Sequence, residues 1–578
     1  MTFTKRRNTR VRGMTLFDLV LANGTVIDGT GSPRVRADVG ISGDRIEAIG
    51  DLSNAQSQER LDCQGLVVSP GFIDIHTHYD AQILWDPSLA PSSWYGVTTA
   101  IFGNCSFSIA PTRAAAADRD AALSILEAVE AMSHEVLTAG VTWDFEDFGS
   151  YLARLRATKL SINVGAMVGH SMLRSFVLGP GSAFDSAARP DQIQLMRDEL
   201  RTALNAGAFG FSTSRFPSHV AGGRPIPSRM ATLEELEALT DVLGEESAGV
   251  FQVIGGPDFG IPDFGEVARR IGRPVTWTSL RTVPTSSRHT EQLAATEAIQ
   301  DAGVSLWPQM GCHPVTIDFT FAAPYGLLES VPSFGALAGA DVATRMKALA
   351  DRAWVRTAEE EMIANREGRS YEFAWDRILI NRSDHAPELE GTSIATLAGD
   401  RRQSPLEAMA EVALADTLET RFDFILFDYD EDIVGDMLSR PSVLLGLSDA
   451  GAHASYFCNA AYPCHLLGHW VRERQQFSLE FAVWRLTGHP ADAMGINDRG
   501  KLLAGAYADL CVFDPQTISQ GPLERRFDLP ASGERLIRES VGVEHVIVNG
   551  DFIRREGRSA PAMPGRLISS TTGPRTPS

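Results

Sequence analysis

Eight short apolar runs, each separated from the next by room for a helix, constrain the fold of this chain more than any other feature. Two of them end at His76/His78 and at Cys105; the others are Ile162 to Val168, Ala208 to Thr213, Val250 to Ile254, Val275 to Leu280, Val304 to Met310 and Val443 to Leu447. Strands alternating with helical stretches predict a parallel sheet, and eight such units predict a closed α/β barrel. Before the first of them, Leu16 to Val68 alternates apolar residues with turns such as Asn23-Gly24, Asp28-Gly29 and Ser42-Gly43-Asp44, which is hairpin chemistry. After the last, Leu502 to Phe513 and Val541 to Asn549 return to a strand pattern. Between strands seven and eight lies a long insertion, about residues 311–440, whose Ala- and Glu-rich pieces predict helices. Insertions at a barrel's carboxyl rim commonly shape or cover a substrate site.

The first barrel run, Ser69-Pro70-Gly71-Phe72-Ile73-Asp74-Ile75-His76-Thr77-His78, ends in two histidines spaced to point the same way. Residues two apart on an extended chain share a face, so both imidazoles are able to serve one cation. His-Thr-His also arises by chance, as the hydrogen-bonded end of a strand. Two further runs finish on metal-competent side chains, Cys105 after Gly96 to Asn104 and Asp449 within Ser448-Asp449-Ala450-Gly451-Ala452-His453. Side chains just past a barrel strand's carboxyl end face the catalytic mouth, and these four occupy such places.

Together these segments resemble the amidohydrolase superfamily. Gly103-Asn104-Cys105, Val168-Gly169-His170-Ser171-Met172-Leu173-Arg174 and Gly210-Phe211-Ser212-Thr213-Ser214 are similar to the N-acyl-D-amino-acid deacylase (D-aminoacylase) branch. The resemblance runs through nearly the whole chain. It implies an α/β fold with a (β/α)8 TIM-like barrel of the amidohydrolase type plus a small β-sandwich built from both chain ends. Residues 14–68 and 500–570 would form the sandwich and residues 69–499 the barrel. It also implies that Cys105 is a thiolate ligand, giving His76, His78, Cys105 and Asp449 as a set for one zinc per chain. Asp449 would in addition shuttle the proton of an attacking water.

The departures from that branch are specific. It places histidines after strands five and six, where this chain has Gln252 and Ser279, neither a good zinc ligand. A carboxylated-lysine bridge also looks unavailable, since the lysines are Lys5, Lys159, Lys347 and Lys501. Arg281 stands where the branch has a basic residue after strand six. It would either pair with a substrate carboxylate or serve as a structural rim arginine. Gln252, Ser279, His170, His453 and His313 complete the candidate substrate contacts; His453 would stabilise the tetrahedral intermediate or orient Asp449, and His170 would equally serve as a packing histidine. Cys312-His313 follows strand seven, and adjacent residues of a strand point opposite ways, so at most one of them faces inward.

The implied activity is zinc-dependent hydrolysis of a linear amide in a small molecule, with N-acyl-D-amino acids foremost. Another amide, a carbamate or a cyclic amide is the alternative, and a catalytically weak metal- or ligand-binding homologue is the alternative of another class. A net charge of -21 makes phosphate-backbone binding unfavourable and argues against a nucleic-acid partner. With 578 residues the chain is long enough to bury a barrel core and an appended layer. Six cysteines without CxxC pairs predict reduced thiols in a cytoplasm. The basic stretch Met1 to Met14 precedes no apolar run, so neither a secretory signal nor a membrane span is expected; a homo-oligomer stays open.

Overall fold

The computed structural model describes residues 16–322, 328, 331–364 and 373–570; the basic stretch Met1 to Met14 lies outside the described residues. The eight expected strands form one parallel sheet in chain order: Phe72–Asp74, Val97–Phe102, Asn163–Gly169, Gly210–Ser214, Val250–Ile254, Val275–Thr278, Leu306–Met310 and Leu444–Leu445. They are barrel strands one to eight below. All of Val97–Phe102 and of Asn163–Gly169 is buried, as a barrel wall covered by helices outside and packed side chains inside requires. The ring closes just beyond the formal ends of strands one and eight. There Thr77 bridges Ala450 in parallel and the His78 amide donates to the Ala450 carbonyl at 2.7 Å.

Helices between the strands follow their apolar stripes. Leu233–Glu245 begins where the Thr232 hydroxyl accepts from the Glu235 amide, and it turns Leu236, Leu239 and Leu243 inward. Among the described residues no helix is long and apolar enough to cross a membrane.

Both chain ends build a single nine-stranded sheet. Leu16–Val26 pairs with Val35–Ser42 along one edge and divides the other between Gln56–Asp62 and Val67–Pro70. Val67–Pro70 in turn pairs with the C-terminal strand Leu510–Phe513. Splitting one edge between two partners folds the sheet over an apolar core that includes Leu21, Val39, Ile41, Val68, Leu510 and Val512. This is the small sandwich. A further hairpin, Ser519–Arg526 with Arg535–Val541, stays out of that sheet and reaches the barrel, where the Leu536 amide donates to the Ala454 carbonyl at 2.6 Å.

The insertion is more than helical. It holds a three-stranded antiparallel sheet of Val315–Phe319, Ile378–Arg382 and Arg421–Phe427 besides its helices. Alternation in Arg421–Phe427 buries Phe422, Phe424 and Leu426 on one face. These join Phe319, Phe321, Phe334 and Val355 in a core of their own. The period-two signal was short and lay among helical segments, so composition pointed to helix alone. Glu431–Ser439 then leads back to strand eight.

Candidate functional site

The strand-one extension carries His76 and His78 into the barrel mouth on a chain that stays extended past Asp74. Thr77 between them donates its amide to the Ile101 carbonyl at 3.0 Å, which turns the flanking imidazoles to the opposite side. Cys105 arrives from strand two through a tight turn. Gly103 has φ +83° there, and a Cβ on it would meet the Met167 carbonyl oxygen at 2.2 Å, so only glycine fits. The Asn104 amide donates to the Thr77 and Ile101 carbonyls, each at 3.1 Å, tying the turn to strand one. Cys105 itself sits at φ +59°, with its N–H donating to Gln252 Oε1 at 2.7 Å.

Asp449 comes from the other side of the barrel's seam. Its amide donates to the His76 carbonyl at 3.2 Å and its φ is +49°. Gly451 permits the approach, because a Cβ there would stand 2.4 Å from the His78 carbonyl oxygen. The Ser448-Asp449-Ala450-Gly451 run is thus a backbone device that presses one carboxylate against two histidines.

Four donor atoms converge as a result. His76 Nε2 lies 3.1 Å from Cys105 Sγ and 3.3 Å from Asp449 Oδ1, and His78 Nε2 lies 3.9 Å from the same oxygen. The ligand atoms of His76, His78 and Cys105 all fall within 4.8 Å of one another. Burial drives the His76 imidazole down to about 3, against the pull of its Gln309 hydrogen bond, and holds His78 well below its ordinary value. Burial also pushes Asp449 up to about 7, opposed by the Arg281 guanidinium. Neutral imidazoles, a thiol and a carboxylate sharing one dry focus are the donors that zinc takes, so the residues fit a cation.

Arg281 reaches this mouth but is not free to move. Its Nη1 is 3.0 Å from Asp428 Oδ2, and Asp428 is fully buried and also accepts from the amide and hydroxyl of Thr282. His453, four residues past Asp449 and at φ +52°, packs on Phe457 with ring centroids 4.9 Å apart. It lies within electrostatic reach of His76 and His78 at the same mouth, and burial drives its own imidazole down to about 4.

Other sequence candidates fall elsewhere. His170 has both ring nitrogens engaged, Nδ1 with Thr213 Oγ1 at 2.8 Å and Nε2 with Glu235 Oε1 at 2.9 Å, inside a sealed cluster with Arg174. It has no nitrogen left for a substrate. His313 turns away from the mouth: its Nε2 meets Gln520 Oε1 at 2.8 Å and its ring stacks on His465 at 4.0 Å. Cys312 is likewise a core thiol, directed at the Tyr462 carbonyl. Gln252 is fully buried, with its oxygen on Cys105 N–H and its nitrogen on Thr278 Oγ1 at 3.1 Å, so both ends of its amide are engaged within the protein. At strand six the side chain that reaches His76 is Thr278, one residue before Ser279, at 3.3 Å from Nδ1.

Sequence reasoning missed Gln309 and Asp428. Gln309 accepts from His76 Nδ1 at 2.5 Å. Its signal was present: a glutamine at an inward position of the apolar run Leu306-Trp307-Pro308-Gln309-Met310 needs a buried partner. Asp428 had none, because it lies 147 positions from the arginine it holds.

Comparison with known proteins agrees with the fold. The Amidohydrolase family matches residues 59–554. A D-aminoacylase from Alcaligenes xylosoxydans xylosoxydans is 31% identical, covering 96% of this chain and 98% of the relative. An N-acyl-D-glutamate deacylase from the same organism is also 31% identical, over 95% and 96%. Among solved structures, a D-aminoacylase described as having a binuclear metal centre, with one-metal activation and second-metal attenuation, superposes at TM-score 0.66 and 28% identity, covering 96% of this chain and all of the other. An N-acyl-D-glutamate deacylase from Bordetella bronchiseptica, complexed with zinc and a phosphonate mimic of the tetrahedral intermediate, superposes at TM-score 0.66 and 27% identity, over 96% and 99%.

Proposed function

We propose, from the premise that this chain belongs to the amidohydrolase family, that it deacylates N-acyl-D-amino acids or closely related N-acyl compounds at a single zinc. The observation that carries this is the convergence of His76 Nε2, His78 Nε2, Cys105 Sγ and Asp449 Oδ1 at the closed seam of the barrel. These four residues would hold the metal. Bound there, zinc supplies Lewis-acid polarisation of the amide carbonyl and lowers the pKa of water to about 7.

Asp449 takes the proton of the attacking water and returns it to the leaving nitrogen. A carboxylate at the mouth accepts the proton of the water and, once protonated, is an acid able to donate it to the departing amine. Arg281 pairs with the substrate carboxylate. Asp428 engages one guanidinium nitrogen and so aims the rest. His453, at the same mouth, would stabilise the developing tetrahedral centre or orient Asp449. Support for one zinc comes from Gln252, whose amide is already committed to Cys105 and Thr278.

The test joins metal analysis to a screen of N-acyl-D- and N-acyl-L-amino acids with detection of the freed amine, before and after chelation and zinc return. Close to one zinc per chain and chelator-sensitive release from the D series are expected. Activity confined to a cyclic amide or carbamate would replace the substrate assignment, and metal without turnover on any of them would make the chain a binding homologue.

A further inference from the structure

We propose that Gln252, Thr278 and Gln309 form one directional hydrogen-bond relay that positions two metal ligands, Cys105 and His76, at once. The inference rests on the metal-site reading above and goes beyond it, assigning work to three residues on strands five, six and seven.

The direction of the relay is dictated by the backbone. A peptide N–H donates and never accepts, so the atom of Gln252 facing the Cys105 amide at 2.7 Å is its oxygen. The Gln252 nitrogen therefore points onward and donates to Thr278 Oγ1 at 3.1 Å. Having accepted there, the Thr278 hydroxyl gives its single proton to Gln309 Oε1 at 2.9 Å. Gln309 Nε2 in turn donates to Thr276 Oγ1 at 3.1 Å, a bond compatible with that orientation. An amide oxygen only accepts, so the proton between it and His76, at 2.5 Å, resides on Nδ1. His76 Nε2 is left as a bare lone pair aimed at Cys105 Sγ and Asp449 Oδ1.

Gln252 and Gln309 are fully buried and Thr278 between them is partly buried, so the two amides meet their partners away from bulk water. At the Cys105 end the relay holds a non-glycine residue at φ +59°, a conformation that needs an external tie. Strands five and six, which offer no imidazole here, thus supply neutral polar atoms that orient ligands carried by strands one and two. All three are positioning residues.

Zinc affinity of the metal-free full-length chain, measured by competition with a chromophoric chelator, tests the relay without reference to turnover. Gln309→Leu removes the acceptor and should weaken zinc by about 10- to 100-fold, the range for loss of a ligand's outer partner. Gln309→Glu keeps an acceptor for Nδ1–H and should bind zinc at least as tightly as the parent. Thr278→Val cuts the middle of the relay with little change in shape and should also weaken zinc. It carries the test if Gln309→Leu does not fold. Cobalt(II) reports the other end: Gln252→Leu should diminish the thiolate-to-cobalt absorption, while Gln309→Leu at saturating cobalt should retain it. Parent-like zinc affinity in Gln309→Leu or in Thr278→Val, or equal weakening by the Leu and Glu variants, would overturn the relay. A parent protein that binds neither zinc nor cobalt would overturn the metal-site reading instead.

Discussion

At the scale of single residues, the site depends on side chains whose environments differ sharply although they share one mouth. Asp449 and Arg281 share the mouth, yet the aspartate is raised by burial while the guanidinium is held by a second buried carboxylate. Asp449→Asn keeps the size and removes the base, so hydrolysis should fall by at least about a hundredfold. Zinc content should be measured beside the rate, because the carboxylate is also a proposed ligand; full activity would remove Asp449 from the mechanism. Arg281→Met deletes the donor fork while keeping much of the volume. KM for an N-acyl amino acid should then rise more than KM for its uncharged amide analogue. An equal response of both substrates would make Arg281 a structural partner of Asp428 and nothing else.

At the scale of elements, the helices and strands below the mouth carry a different load, packing polar groups that have no part in the chemistry. The helix Gly488–Met494 presents His489 to the rings of Trp307 and Trp484, with centroids 5.7 and 4.5 Å away. Burial, reinforced by Arg485, lowers this imidazole from 6.5 to about 3. The sign follows from which state binds the proton. Above pH 6.5 His489 is neutral folded and unfolded, so it leaves stability unchanged. As pH falls from 6.5 toward 3 the unfolded chain takes up a proton that the folded chain refuses, and stability is lost at up to about 1.4 kcal/mol per pH unit. His489→Leu should narrow the difference between the thermal midpoints at pH 7 and pH 5. A difference as wide as the parent's would mean that other buried groups set the acid limit.

At the scale of the whole molecule, the chain-end sheet docks where barrel strands begin and leaves their carboxyl ends to the site. Asp509 is the junction. It pairs with buried Arg499, accepts from Asn163 Nδ2 of strand three at 3.0 Å and from the Asn549 amide at 2.7 Å, and its carbonyl takes the Gly71 amide at 2.9 Å. Asp509→Asn leaves buried Arg499 to the more exposed Asp498 carboxylate, 3.2 Å from its Nε, and should cost about 1.5–3 kcal/mol of stability, read by urea denaturation. Turnover per folded chain should stay unchanged, because the junction lies at the opposite end of strand three from the mouth. A variant as stable as the parent would show that the sheet holds to the barrel by apolar packing alone.

What the amino-acid order determined by itself was whatever a local pattern encodes. Eight apolar runs with helical spacing specify a parallel barrel, because each strand is buried on both faces and each crossover needs a helix. His76-Thr77-His78, Gly103-Asn104-Cys105 and Ser448-Asp449-Ala450-Gly451 were legible because each is a short run with its own backbone logic. Their placement beside one another follows from barrel closure at Thr77 and Ala450. Tertiary structure alone decided which polar residues meet across distant strands. Gln252 and Gln309 turned inward to meet Cys105 and His76, His170 was sealed off by Glu235, and His313 was drawn to Gln520. Arg281 acquired Asp428 from the far end of the insertion. A buried polar group must find a partner wherever the fold supplies one, and that partner's position in the chain carries no local signature.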